Sequence, residues 1–148
     1  MSTTPGTGAI IREADFRTEE ATIRAIRFNV FVDEQNVPAG IEMDDRDPHC
    51  IHLLALLNEE PIGTARIDIE KSGKIGRLAV LASYRRRGVG RELMERCHVI
   101  AHAHGLDEVW CNAQLTAVPF YEGLGYSVTG GEFEEAGITH LKMTMALE

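Results

Sequence analysis

One stretch, residues 74–105, limits what this chain can fold into more than any other. It begins KIGRLAVL, a short apolar run with a period-two start, passes Ala82-Ser83-Tyr84, reads Arg85-Arg86-Arg87-Gly88-Val89-Gly90, and then opens a long segment of helical period. The order is strand, tight loop, helix. Two glycines at the loop-to-helix junction let backbone amides approach a ligand with no Cβ in the way, and the unpaired N–H groups of a helix start favour an anion. Three arginines beside those amides point to a phosphate or pyrophosphate. A P-loop would need Lys-Ser/Thr after its last glycine, whereas Arg91-Glu92 follows Gly90. A dinucleotide fingerprint would need a third glycine at position 93, which is Leu.

The remaining segments supply a sheet for that unit. A chain of 148 residues, 44% apolar, suits one compact domain over 1–148 that folds without staples. Residues 1–8, MSTTPGTG, read as a disordered lead-in without a basic-then-apolar signal pattern. Residues 9–14 predict a first strand. Ile23, Ile26, Val30 and Phe31 recur at three- and four-residue spacing and predict a helix over 19–32, with capping chemistry in 15–18. Residues 33–48 break the pattern with Pro38, Gly40 and Pro48 and gather Asp33, Glu34, Glu42, Asp44, Asp45 and Asp47 against Arg46 alone. They read as a long acidic loop with at most one short helical turn. Runs 50–58 and 61–70 around Glu59-Glu60 predict a hairpin that leads into the strand at 74.

Val89, Leu93, Cys97, Ile100 and Ala101 form one face of the helix that Gly105 stops. Residues 107–113 predict a strand reached by a helical crossover, hence parallel to the strand at 78. Residues 118–126 predict a short helix, with Pro119 in its first turn and glycine at its close. Two last strands follow over 127–133 and 138–146. The order β-α-β-β-β-α-β-α-β-β describes an α/β mixed sheet of about seven strands.

A net charge of −8 argues against sequence-independent nucleic-acid binding. Cys50, Cys97 and Cys111 are odd in number and sit in apolar runs, which suits reduced thiols in a cytoplasmic protein. No run approaches the roughly 20 apolar residues of a membrane span. His98, His102 and His104 do not converge at about 100° per residue, so no metal is expected.

Arg85-x-x-Gly88-x-Gly90 after Leu78-Ala79-Val80 resembles the acyl-CoA pyrophosphate loop of the GCN5-related N-acetyltransferases (GNAT). Phe120-Tyr121-Glu122-Gly123-Leu124-Gly125-Tyr126, after a strand containing Asn112, is similar to the family's FYEKLGF-type segment. The likeness runs from Ile10 to Leu147, and residues 31–35, 52–55 and 135–140 look most like the ElaA/YjcF-like branch. It implies the acyl-CoA N-acyltransferase fold, a central sheet flanked by helices and splayed between the strands at 78–80 and 109–112. The splay would be a wedge for the pantetheine arm of acetyl-CoA.

By carry-over, Leu78, Ala79 and Val80 offer backbone groups to pantetheine, and Arg87, Gly88, Val89 and Gly90 offer amides to pyrophosphate. Arg85 and Arg86 add side-chain contacts. Asn112 reaches in from the opposite strand, the alternative being a strand-end Asn that satisfies local backbone. Tyr121 matches the general acid beside the cofactor, the alternative being a core aromatic, and a backbone N–H near Val80 is the oxyanion donor. The base is not fixed by any motif: Glu34, Glu42, Asp45, His52, Glu134 and His140 all qualify, with His140 favoured. The implied activity is direct acetyl transfer from acetyl-CoA to a primary amine on a small molecule, without a metal. A non-catalytic acyl-CoA-binding sensor or interaction module is the rival. The acidic loop suits a cationic acceptor, the equal alternative being a merely solvated loop, and a homodimer stays open.

Overall fold

The computed structural model describes residues 7–148, with backbone alone at 41 and 42. Its strands are β1 (Ile10–Ala14), β2 (Ile51–Leu57), β3 (Glu60–Asp68), β4 (Lys74–Val80), β5 (Glu108–Gln114), β6 (Ser127–Val128), β7 (Phe133–Glu135) and β8 (Ile138–Ala146). They form one mixed sheet in the order β1-β2-β3-β4-β5-β8-β6, with β7 also pairing β8. The described residues thus hold eight strands rather than about seven. The difference lies in the tail, where the exposed Gly130-Gly131 pair carries no side chain to pack and divides 127–133 into two short pieces on β8.

Helix α1 (Phe16–Arg27) starts three residues earlier than the apolar spacing suggested. Its cap is Asp15, whose carboxylate accepts the Arg17 N–H at 3.0 Å. The helix continues as a π-helical segment over Phe28–Glu34, and a single turn, α2 (Ala39–Glu42), interrupts the acidic loop. Ile23, Ile26 and Val30 pack against Leu54 and Ala79 on one face of the sheet. Helix α3 (Val89–Ala103) lays Leu93, Cys97 and Ala101 against Leu53, Ala55 and Ile67 on the other. Strand β2 is covered on both faces, which is why its sequence is a continuous apolar run instead of an alternating one. Burying such aliphatic side chains contributes about 1.5–3 kcal/mol each.

The expected lead-in falls outside the described residues for 1–6. At its end, Thr7 is held on α3 by bonds from its N–H (3.2 Å) and hydroxyl (2.8 Å) to the Glu92 carboxylate. Among the described residues no helix is long and apolar enough to cross a membrane.

Two irregularities in β4 shape the site. Between the pairs Thr64↔Ala79 and Arg66↔Gly76, Ala65 alone faces Arg77 and Leu78, so β4 carries a bulge at Arg77, whose φ is +49°. The extra residue reverses the face parity, and Ile75 and Val80 both enter the α3-side core. The second irregularity is a parting of strands. Parallel β5 pairs with β4 only at Lys74↔Trp110, and from there toward Val80 the two diverge.

Candidate active site

The divergence leaves one edge of β4 without a strand partner. Leu81 N–H donates to Ile62 O at 2.9 Å, and the antiparallel ladder then alternates: Ala79 faces β3, while the N–H and C=O of Val80 point into the gap. Val80 therefore turns its backbone N–H toward the gap. Ala79 is a correction to the expected pantetheine contact. Its backbone is turned toward Thr64 on β3 and its side chain, 2% exposed, lies in the core under α1.

At the head of the gap stands the start of α3. Gly88 takes φ +89° as the N-cap residue and no side chain caps the helix, so the first-turn amides face outward. A left-handed residue there is natural for glycine and strained for other residues. Arg86 also has positive φ, at +62°, and Arg86 and Arg87 are exposed. Arg85 behaves differently from the expected phosphate contact. Its Nε donates to Val80 O at 2.7 Å and its two terminal nitrogens clamp the Glu34 carboxylate at 2.8 and 2.7 Å. The guanidinium is spent bracing the loop against the end of the π-helical segment, and it holds the carbonyl whose amide faces the gap.

Below this loop opens a cavity of about 670 Å³. Leu78 lines it from β4, Asn112 and Gln114 from β5, and Tyr121 from helix α4 (Val118–Leu124). The local sequence sets the position of Tyr121. Gly125 closes α4 at φ +107°, the turn lets Tyr126 N–H bond Tyr121 O at 3.0 Å, and the two rings meet edge to face at 5.7 Å. Tyr126 is anchored in turn by a 2.6 Å bond between its hydroxyl and His98 Nε2. Burial pushes the Tyr121 phenol well above its ordinary value. No group among the described residues hydrogen-bonds its hydroxyl, nor the side-chain amide of Asn112, so both polar ends stay available to a ligand.

His140 lies opposite Gln114 in the β5–β8 register and lines the same cavity, 7% exposed. Its Nδ1 donates to Ile138 O at 2.7 Å, which turns Nε2 toward Glu135 Oε2, 3.8 Å away. A strand gap with free amides, an imidazole and a protonated phenol around one cavity can bind an extended acyl thioester and move protons.

Residues 14–147 match the family model of the acetyltransferase (GNAT) domain. The chain belongs to the GNAT family. It is 41% identical to the uncharacterized N-acetyltransferase YjcF of Bacillus subtilis over 120 residues, covering 80% of this chain and 86% of that protein. It is 34% identical to the protein ElaA of Escherichia coli over 125 residues, covering 80% and 81% of the two chains. The crystal structure of an acyl-CoA N-acyltransferase from Pseudomonas aeruginosa superimposes with a TM-score of 0.81 at 26% identity, covering 93% of this chain and 99% of the other.

Seen as a GNAT N-acetyltransferase, the molecule sorts the expected bases. Glu34 is clamped by Arg85, Asp45 and Glu134 are exposed, and His52 is buried under Phe16 with Nε2 2.8 Å from Asp47 O. The Glu42 side chain lies outside the described residues. His140 alone of the described candidates lines the cavity.

The acidic loop needs a larger correction. Asp47 accepts both terminal nitrogens of the buried Arg27, at 2.8 and 3.2 Å, and Arg66 Nη1 at 2.7 Å. Asp44 takes Arg66 at 2.7 and 2.9 Å and Arg77 at 3.1 Å. Arg46 bridges Asp68 and Glu70. Asp44 and Asp47 are thus neutralised internally, whereas Asp33 and Asp45 of the same loop stay exposed, so only part of its charge faces outward. Reading along the chain also missed the wall opposite Tyr121, where Gln114 Nε2 bonds Gln35 Oε1 at 2.7 Å. One signal was present: Arg66 and Asp68 are charged residues two apart in an otherwise apolar strand, which marks a polar layer over the sheet.

Proposed function

We propose that this GNAT enzyme transfers acetyl from acetyl-CoA to a primary amine by direct attack within a ternary complex. The observation that carries the reading is the unpaired β4 edge, with Val80 N–H aimed into a gap that begins at the uncapped start of α3. An extended amide arm bonds such an edge as another strand would, and the amides from Arg87 to Gly90 receive the pyrophosphate. In this reading the amine nitrogen attacks the thioester carbonyl, whose oxygen accepts from Val80 N–H as it becomes an oxyanion. His140 Nε2 takes the amine proton, directly or through water, and Tyr121 gives its proton to the departing sulfur. Asn112 holds the pantetheine from the β5 side. Burial of the thiols supports direct transfer over an enzyme thioester: Cys97 and Cys111 are both pushed up to about 12, far from a thiolate nucleophile.

Two measurements test this. Acetyl-CoA at about 100 times Kd should stabilise the fold by roughly 2.7 kcal/mol in a thermal melt, and release of free CoA across an amine panel reports turnover. Gly88→Val forces a branched side chain into a left-handed N-cap position, against the Thr7 side chain. It should abolish the ligand shift while the apo protein still melts cooperatively, at a backbone cost of about 1–2 kcal/mol. An unchanged melting temperature of the native chain in millimolar acetyl-CoA would overturn the donor assignment. Binding without turnover on any amine would favour the non-catalytic reading instead.

A further inference from the structure

Around the base of the cavity the ion pairs do not cancel. The arginines Arg27, Arg46, Arg66 and Arg77 are matched by Asp44, Asp47, Asp68 and Glu70, and Glu135 faces His140. Three lysines stand outside this balance, in a protein whose net charge is −8. Lys74 Nζ lies 5.2 Å and Lys142 Nζ 4.6 Å from the centroid of the Trp110 ring, and the indole N–H donates to Lys71 O at 2.9 Å. Lys71, Lys74 and Trp110 line the cavity. Lys142, opposite Asn112 in the β5–β8 register, shares their face of the sheet. Among the described residues none of the three lysines forms an ion pair, and Glu108, on the same face of β5, pairs with none of them.

Between this cluster and Leu78 the floor is open at Gly76, where an ideal Cβ would meet nothing within 4 Å. The neighbouring Arg77 is drawn onto Asp44 at 3.1 Å, which leaves room beside Gly76 for a slender linear molecule. Lys74 and Leu78 are four apart, about 13 Å along a strand before the bulge shortens the path, and the lysine side chains cover part of it. We infer that the acceptor is a small amino carboxylate whose anionic end is held by Lys74, with Lys71 and Lys142 beside it, several bonds from the amine acetylated near His140. Trp110 gives the intervening chain an apolar contact while the two ammonium groups sit against its ring. The inference rests on the acetyltransferase reading and deepens it.

The test is a length series of ω-amino acids, in which a straight methylene chain separates a primary amine from a carboxylate. They are compared with α,ω-diamines and n-alkylamines of matched length by free-CoA release. Amino carboxylates with three or more methylenes should exceed the matched diamines by about tenfold or more in kcat/KM. Lys74→Gln should lower kcat/KM for the carboxylates by about tenfold, chiefly through KM, and leave n-alkylamines unchanged, since an anion contact at an ammonium is what it removes. Combining Lys71→Gln with Lys142→Gln should act in the same direction. Diamines that match or outperform the amino carboxylates would overturn the inference while leaving the acetyltransferase reading in place. So would an equal loss on all acceptors in Lys74→Gln, or acetyl-CoA binding with no turnover of any amino carboxylate. Failure of acetyl-CoA to bind would overturn both.

Discussion

Asp47→Asn should lower the stability of the folded chain by about 3 kcal/mol, the low end of the usual cost of breaking a buried ion pair. The carboxylate is 1% exposed and accepts three arginine N–H groups, two from Arg27, itself 0% exposed, and one from Arg66. An amide of the same shape accepts on one side only and carries no charge, so two guanidinium groups lose a counter-charge in a site that water does not reach. The effect stays at the low end because Arg66 keeps Asp44. For a chain of this size the melting temperature should fall by about 6–12 °C. A loss under about 1 kcal/mol in urea titration would mean that the pair's desolvation consumes its attraction.

The same network sets an acid limit. Although burial alone would raise it, hydrogen bonds and charge from Arg66 and Arg77 hold the Asp44 carboxyl down at about 2, and Arg27 and Arg66 hold Asp47 below its ordinary value. Both folded values lie under the unfolded ones, so their contribution is complete above about pH 4 and is lost as pH falls toward 2. His52 adds an earlier step, because burial lowers its pKa. The neutral ring is favoured in the fold, and stability declines once pH drops below the unfolded value near 6.5. Burial lowers the pKa of the half-buried His98 in the same way. Melts from pH 7 to 3 should therefore show both phases, and His52→Phe should shrink the first while His98 keeps the remainder.

What could be read along the chain was local. The glycine loop and the Phe120 to Tyr126 segment announce themselves because their conformations are required within a few residues: a left-handed turn at Gly88, another at Gly125. Helix faces and the parallel crossover followed from period and handedness. What escaped depends on partners far apart. Arg85 reads as a phosphate ligand until Glu34, 51 residues away, is found against it. Asp44 and Asp47 read as part of an outward-facing acidic loop until Arg27, Arg66 and Arg77 arrive from three other elements. The bulge at Arg77 has no local signal at all, since a positive φ at arginine is imposed by the register of β3 against β4, yet it sets which of Leu78, Ala79 and Val80 faces the gap.

Tyr121→Phe should reduce kcat by roughly 10- to 100-fold with acetyl-CoA affinity nearly unchanged. The substitution keeps the ring that packs edge to face with Phe120 and Tyr126, at 5.1 and 5.7 Å, and removes only the hydroxyl. That hydroxyl is a weak acid here, because burial raises its pKa beyond the ordinary value near 10. It therefore stays protonated at every working pH, and the kcat profile should show no limb from its ionisation below about pH 10. The thiol it would protonate has an ordinary pKa near 8.5, so transfer to sulfur runs against the difference in solution acidity. Burial of the sulfur in the same gap raises its basicity too and narrows that difference. A thiolate leaves tolerably well unaided, which keeps the benefit toward the low end of general-acid effects of about 10²- to 10⁴-fold. A Phe variant that turned over like the native enzyme would reduce Tyr121 to a core aromatic and leave water as the donor. One that lost acetyl-CoA binding would move the hydroxyl from the chemistry to the binding of the pantetheine arm.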